Sequence, residues 1–234
     1  MNNSQGEVFL LNIYGPPGVG KSTQARLLSQ NYGYKEISTG AIILNCIPGF
    51  EVNNEEGARH RVLYADMLKS HLDIPANAGY IPDGVMIPIL VNEIQFLLNN
   101  GEDKIVLGGS IKSFEQARAI QKYIESVQGY FNIAYRTVNL TAQDNELIRR
   151  LRGRAVNELR PDNDKPERVV SSFREREWEL LRYFGATGNL FNIDSGENFS
   201  AEMVHLAIAE FINLTEEGRR GRTETPNAAR ERFF

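Results

Sequence analysis

Cysteine and tryptophan are each used once in these 234 residues, and histidine three times. The single thiol, Cys46, excludes an intrachain disulfide and fits a reducing compartment. No apolar run approaches the roughly 20 residues a membrane span needs. The polar start MNNSQGE does not read as a signal peptide, so the expectation is a cytoplasmic chain with no membrane partner. A net charge of −4 gives no chain-wide attraction for nucleic acid or an anionic bilayer, so an anionic ligand must be met by locally placed cations. His60, His71 and His205 lack metal-ligand spacing and read as surface or packing residues. There is no internal repeat, no guanine-reading NKxD-like stretch, and none of the bulk a motor ATPase requires. The length suits one core with appended pieces.

What the chain does have begins at Val8. VFLLNIY (8–14) is a continuous apolar run followed at once by glycines, the pattern of a strand buried on both faces of a parallel sheet. KSTQARLLSQNYG then reads as a helix closed by Gly33. Between them Gly15, Gly20, Lys21 and Ser22 satisfy G-x-x-x-x-G-K-[ST]. Glycines at that spacing let backbone N–H groups turn inward around a polyphosphate, while the helix presents its positive end. Lys21 reaches the outer phosphates, and the Ser22 hydroxyl can ligate Mg²⁺. A glycine-rich turn with no ligand is the plainer alternative, and the strand-to-helix context argues against it.

Further apolar runs at 104–109, 131–140 and 189–193 alternate with helical patterns near 84–100, 113–127, 143–153, 166–184 and 199–214. The alternation predicts an α/β fold, a P-loop NTPase-type parallel sheet flanked by helices through right-handed crossovers. Residues 45–78 fit it poorly and read as a helical insertion. The segment 215–234 has no apolar periodicity and reads as a flexible, solvated tail.

From the P-loop onward the chain resembles the adenylate kinase family of nucleoside monophosphate kinases. GPPGVGKSTQA is similar to that family's GxPGxGKGTQA, and ISTG (37–40) follows at the family's distance. AGYIPDGVMIPIL (78–90) is similar to the segment closing the monophosphate-binding insertion, and SFEQA (113–117) puts Gln116 on the glutamine that reads an acceptor adenine. RRLRGR (149–154) and RPDND (160–164) resemble the two sides of a lid. The resemblance spans residue 8 to about 214. It implies a kinase-like core over 1–214, with an acceptor-binding insertion at 38–84 and a short lid at 153–165.

The resemblance further implies an ATP site of Gly15, Pro17, Gly18, Val19, Gly20, Lys21, Ser22, Thr23 and Arg150. It implies an acceptor site of Thr39, Gly40, Tyr80, Ile81 and Gln116, and catalytic cations Lys21, Lys112, Arg154 and Arg160. Mg²⁺ would arrive with ATP and meet Ser22; a lid this short implies no zinc. The implied partners are ATP and a small phosphorylated acceptor, AMP-like by virtue of Gln116, with a monomeric enzyme the default.

Several positions depart from the family pattern. Ala41 replaces an aspartate, Leu44 replaces an acceptor-phosphate arginine, Gly108 stands where an aspartate helps hold the Mg²⁺ water shell, and Lys112 replaces a second arginine. Lysine keeps the charge but loses the planar fork. Ser172 lies where an arginine belongs, with Arg174 or Arg176 as substitutes, and Arg59 and Arg61 are candidate replacement cations for the Leu44 gap. Trp178 reads as core, Asp83 as a helix cap, and Cys46 as a small buried hydrophobe. These losses leave two other readings open: a non-catalytic ATP-binding relative, and a P-loop kinase for another small molecule.

Overall fold

The computed structural model describes residues 7–72, 81–157, 165–188 and 190–220, with backbone alone at 155–157 and 214–220. Five strands, β1 (Glu7–Tyr14), β2 (Lys35–Ile37), β3 (Lys104–Gly108), β4 (Asn132–Thr141) and β5 (Leu190–Asp194), form one sheet in the order β2-β3-β1-β4-β5. Every pairing is parallel, so β1 lies at the centre and its C-terminal end opens between β3 and β4. In open parallel sheets a ligand crevice forms at that end, where the strand order reverses.

Period-two alternation distributes β1 between two cores. Val8, Leu10 and Tyr14 pack with Ile105 and Leu107 of β3 on one face, while Leu11 and Ile13 pack with Val106 and Val138 on the other. The first face is covered by α2 (Thr39–Cys46), α3 (Glu55–Leu72), α4 (Asp83–Asn99), α5 (Phe114–Val127) and α7 (Pro166–Ala186). The second is covered by α1 (Lys21–Tyr32), α6 (Asp144–Asn157) and α8 (Ala201–Arg220). This is the two-sided burial that continuous apolar runs predict. Helix α1 stops at Gly33, whose left-handed φ of 75° lets its N–H reach Leu28 O and Ser29 O.

The insertion between β2 and β3 is helical where it is described. The last helix continues to Arg220, six residues beyond the 214 read from periodicity. The rest of the tail, 221–234, lies outside the described residues.

Candidate active site

After Tyr14 the chain turns through Gly15–Gly20 into α1. Gly15 and Gly18 carry φ values of 134° and 83°, and both sit against neighbours that exclude a side chain. A Cβ on Gly15 would press into Leu140 O of β4, and one on Gly18 would lie 3.1 Å from Leu147 O of α6. Gly20, at φ 103°, caps α1 without any side-chain hydrogen bond, and the first turn of α1 holds no acidic residue. The positive end of the helix therefore faces the mouth of the loop with no protein anion from its own turn. Lys21 folds back over that mouth, its Nζ donating to Gly15 O and Pro16 O at 2.8 Å each. Ser22 is exposed, Pro17 and Thr23 are half-buried, and Val19 is buried.

Two contacts brace this loop from far along the chain. Ser195 Oγ donates to Val19 O at 2.7 Å, and Gln24 Nε2 donates to Ala201 O at 2.8 Å. Arg150 joins the same region, donating to Glu146 Oε1 at 2.6 Å and to Gly196 O at 3.2 Å. Arg149 holds Glu146 as well; hydrogen bonds from Arg149, then from Arg150, pull that carboxyl down to about 2. Arg154 lies half-buried near the end of α6, while Arg160 lies outside the described residues.

The acceptor candidates converge on a second place. Thr39, Ile81, Ser110, Lys112 and Gln116 line a cavity of about 10 Å³, room for roughly one water. Ser110 ties its walls together, donating to Ile37 O at 2.6 Å and accepting from Thr39 N at 3.3 Å. Gln116 Oε1 accepts from Lys112 N at 2.8 Å, and its Nε2 donates to Asp83 Oδ1 at 2.7 Å. Because a backbone N–H can only donate, the amide orientation is set, leaving one further lone pair and one further N–H for a ligand. Gly40 is exposed on α2; Tyr80 lies outside the described residues.

Several sequence expectations need correction. Asp83 does not cap α4: Pro82 holds the cap position, and the Asp83 carboxylate accepts instead from Ser113 Oγ and Gln116 Nε2. Arg59 and Arg61 do not fill the Leu44 gap. Arg59 is engaged with Glu93 and lies 3.9 Å from the centre of the Phe96 ring, while Arg61 donates to Asn45 O and Phe50 O. Arg174 is likewise taken by Asp144, Glu177 and Ala142 O, and Arg176 reaches back to Ser172. Trp178 is 62% exposed rather than core, because the buried stripe of α7 runs through Val170, Leu180 and Phe184. Leu44 is itself exposed, so no apolar packing explains it.

His60 is buried between Asn45 and Glu93 and stacks on Tyr64, and His205 is buried beside Asn31 and Tyr32. Cys46 is buried, and desolvation pushes its thiol up.

Sequence reasoning missed three residues here. Ser195 follows the last strand at the sheet's ligand-bearing end, a positional signal that was available. Asp83 is the partner that orients Gln116. Glu36, the middle residue of β2, places its carboxylate where a side chain on Gly108 would go: a Cβ there would come closer than 3.0 Å to Glu36 Oε1.

Comparison with known proteins agrees with this geometry. A family described as AAA domain matches residues 14–73, the P-loop and the start of the insertion. An adenylate kinase of Leptospira biflexa is 28% identical over 187 residues, covering 79% of this chain and 90% of that protein. Adenylate kinases of Thermus thermophilus and Nitrobacter winogradskyi are each 27% identical, covering 83% and 79% of this chain and 90% and 84% of their own lengths. With a P-loop at the head of a five-stranded parallel sheet, the chain is similar over most of its length to these adenylate kinases.

Proposed function

We propose that this chain is a phosphotransferase that moves the γ-phosphate of Mg·ATP to a nucleoside monophosphate, with an AMP-like acceptor. The observation that carries the reading is the adjacency of two sites at the C-terminal end of the sheet. A glycine cradle lies under the Lys21 ammonium, and beside it is the cavity lined by Thr39, Lys112 and Gln116. The stem of Lys21 packs at the β3 end that leads into the cavity wall: a Cβ on Gly109 would lie 2.5 Å from Lys21 Cε.

In this reading Gly15–Thr23 and Arg150 bind ATP. On binding, Lys21 exchanges the carbonyls of Gly15 and Pro16 for the outer phosphates. Ser22 is the hydroxyl that would hold Mg²⁺, which when bound neutralises phosphate charge. Gln116 offers its remaining N–H and lone pair to the edge of the acceptor base, and Lys112, the exposed cation of the cavity rim, meets the acceptor phosphate. An acceptor phosphate oxygen forms the new bond to the γ-phosphorus as the bond to the leaving ADP oxygen breaks. Catalysis of this kind rests on positioning and charge neutralisation. Arg154 and Arg160, on a lid at 153–165, would supply further positive charge and exclude water. The remaining assignments are a kinase-like core, an insertion at 38–84, a tail beyond the last helix, and a monomer working in the cytoplasm.

A non-catalytic ATP-binding role is the second reading, favoured by one observation: Leu44 is exposed where a cation is wanted, and Arg59, Arg61 and Arg174 are engaged elsewhere. Chromatography of products from Mg·ATP and a panel of nucleoside monophosphates separates the two. Diphosphate formed by the parent chain and lost in Lys21→Ala supports the kinase and names the acceptor. ATP binding with no conversion of any monophosphate would refute transfer to this class of acceptor.

A further inference from the structure

Gly108 ends β3 on the face that packs against α1. The side chains of residues 106 and 108 share a face, and Val106 belongs to the α1 core. Glu36 is the register partner of Val106 across the parallel β2–β3 pair, so it lies on that face too. Two residues nearer the P-loop than its partner, Gly108 leaves a gap, and the long Glu36 side chain fills it. A Cβ on Gly108 would meet Glu36 Oε1 closer than 3.0 Å and would lie 3.1 Å from the Cβ of Ala25.

Ala25 stands one turn beyond Ser22 on α1, and the next residue of β3's exit, Gly109, carries the stem of Lys21. The carboxylate thus lies at the end of β3 near Ala25, three residues along α1 from Ser22 and one residue before the glycine against which the Lys21 stem packs. Among the described residues Glu36 has no hydrogen-bond or ion-pair partner. Half-burial raises its pKa, with Glu56 repulsion adding to the rise, and no ion pair among the described residues offsets its charge. A half-buried carboxylate without a cation is costly unless a ligand supplies the positive charge.

We infer that Glu36 is the carboxylate that orders the water shell of the Mg²⁺ carried with ATP, and that Gly108 is glycine because Glu36 occupies the space above it. The inference rests on the reading that this P-loop takes Mg·ATP. It makes Glu36 a positioning residue, acting through metal-bound water, and treats positions 36 and 108 as one device. The carboxylate reaches the site from β2, and a second one on β3 would collide with it.

The test is ATP affinity by calorimetry, in excess Mg²⁺ and in EDTA, for the parent, Glu36→Gln, Glu36→Ala and the double variant Glu36→Ala/Gly108→Asp. By linkage, the factor by which Mg²⁺ tightens ATP equals the factor by which the protein tightens Mg²⁺ on ATP. Loss of an outer-shell partner lowers metal affinity by about 10- to 100-fold. In Glu36→Gln the ratio of Kd in EDTA to Kd in Mg²⁺ should fall by about that factor, with ATP alone bound at least as tightly as by the parent. A purely structural Glu36 would change both affinities together and leave the ratio alone.

The double variant removes the clash and returns a carboxylate from β3, so its ratio should recover relative to Glu36→Ala. An unchanged ratio in Glu36→Gln, or a double variant no better than Glu36→Ala, would overturn the assignment. If the parent itself fails to bind ATP, the nucleotide reading falls instead.

Discussion

Replacing Glu93 with glutamine should cost this chain about 3 kcal/mol of stability, and the reason lies in three groups around one carboxylate. Glu93 of α4 is 2% exposed. Arg59 of α3 donates to both its oxygens, Tyr64 OH donates to Oε1 at 2.5 Å, and His60 Nε2 lies 3.3 Å from Oε2. Burial alone would raise the carboxyl pKa; hydrogen bonds from His60, Arg59 and Tyr64 outweigh it and hold the group down from 4.5 to about 2. A fall of that size, at about 1.36 kcal/mol per pH unit, is worth roughly 3 kcal/mol at neutral pH. That agrees with the 3–5 kcal/mol typical of breaking a buried pair, here with Arg59 left behind.

Because folding lowers this pKa, the stabilisation is complete above the unfolded value of 4.5 and is lost as pH falls through about 2. Urea unfolding of the parent and Glu93→Gln at pH 7 and pH 3.5 measures both parts. The gap between them should be about 3 kcal/mol at pH 7 and narrower by about 1.4 kcal/mol at pH 3.5. A gap under about 1 kcal/mol, or one that does not change between the two pH values, would refute the reasoning.

Other perturbations address the site directly. Leu44→Arg adds a cation at an exposed position of α2; a charge-assisted bond of about 1.5–3 kcal/mol should lower the acceptor KM about 10- to 100-fold with the ATP KM unchanged. Steady-state kinetics with both substrates varied will show it, and an unmoved acceptor KM would place the phosphate elsewhere. Gln116→Ala should raise the acceptor KM by about tenfold or more while calorimetric ATP affinity stays put, since its contacts are to Lys112 N and Asp83. Arg59→Ala with Arg61→Ala should act on melting temperature through the lost Glu93, Asn45 and Phe50 contacts; a raised acceptor KM at unchanged stability would restore these residues to the acceptor site. Trp178→Ala should change unfolding free energy by less than about 1 kcal/mol, where a buried tryptophan would cost about 3–5.

The sheet and the cradle were legible because their signals are local. An apolar run such as VFLLNIY reads as a strand buried on both faces, and glycines at 15, 18 and 20 meet backbone demands within a few residues. What was not legible depends on partners far away in the chain. Whether Asp83 caps its own helix or turns to Ser113 and Gln116 is decided by the packing of α4 on α5, thirty residues on. Arg59 looks available until α4 brings Glu93 to it from 34 positions away. Trp178 was misplaced by its spacing to Leu181: the inward stripe includes Leu180, and two residues rotate a helix by about 200°, which turns the indole outward.

The same long-range pairings decide which cations this chain can turn toward a phosphate. An arginine leaves its carboxylate cheaply only if something else still neutralises that carboxylate. Arg59 has no such freedom: its departure would strand a buried Glu93 with only the Tyr64 hydroxyl and a histidine for company. Arg150 does, because Arg149 keeps two hydrogen bonds on Glu146 whether or not Arg150 stays. Lys21 donates to two neutral carbonyls of the loop it would serve, those of Gly15 and Pro16. Attraction between an ammonium and a polyphosphate readily exceeds what two neutral acceptors provide. The proposed donor site would therefore assemble from groups already beside it, with little cost to the fold. In the proposed reading the acceptor phosphate is met by Lys112 and the arginines assigned to the lid, and substitutions at Leu44 and Gln116 should therefore move the kinetics of the acceptor and leave those of ATP nearly untouched.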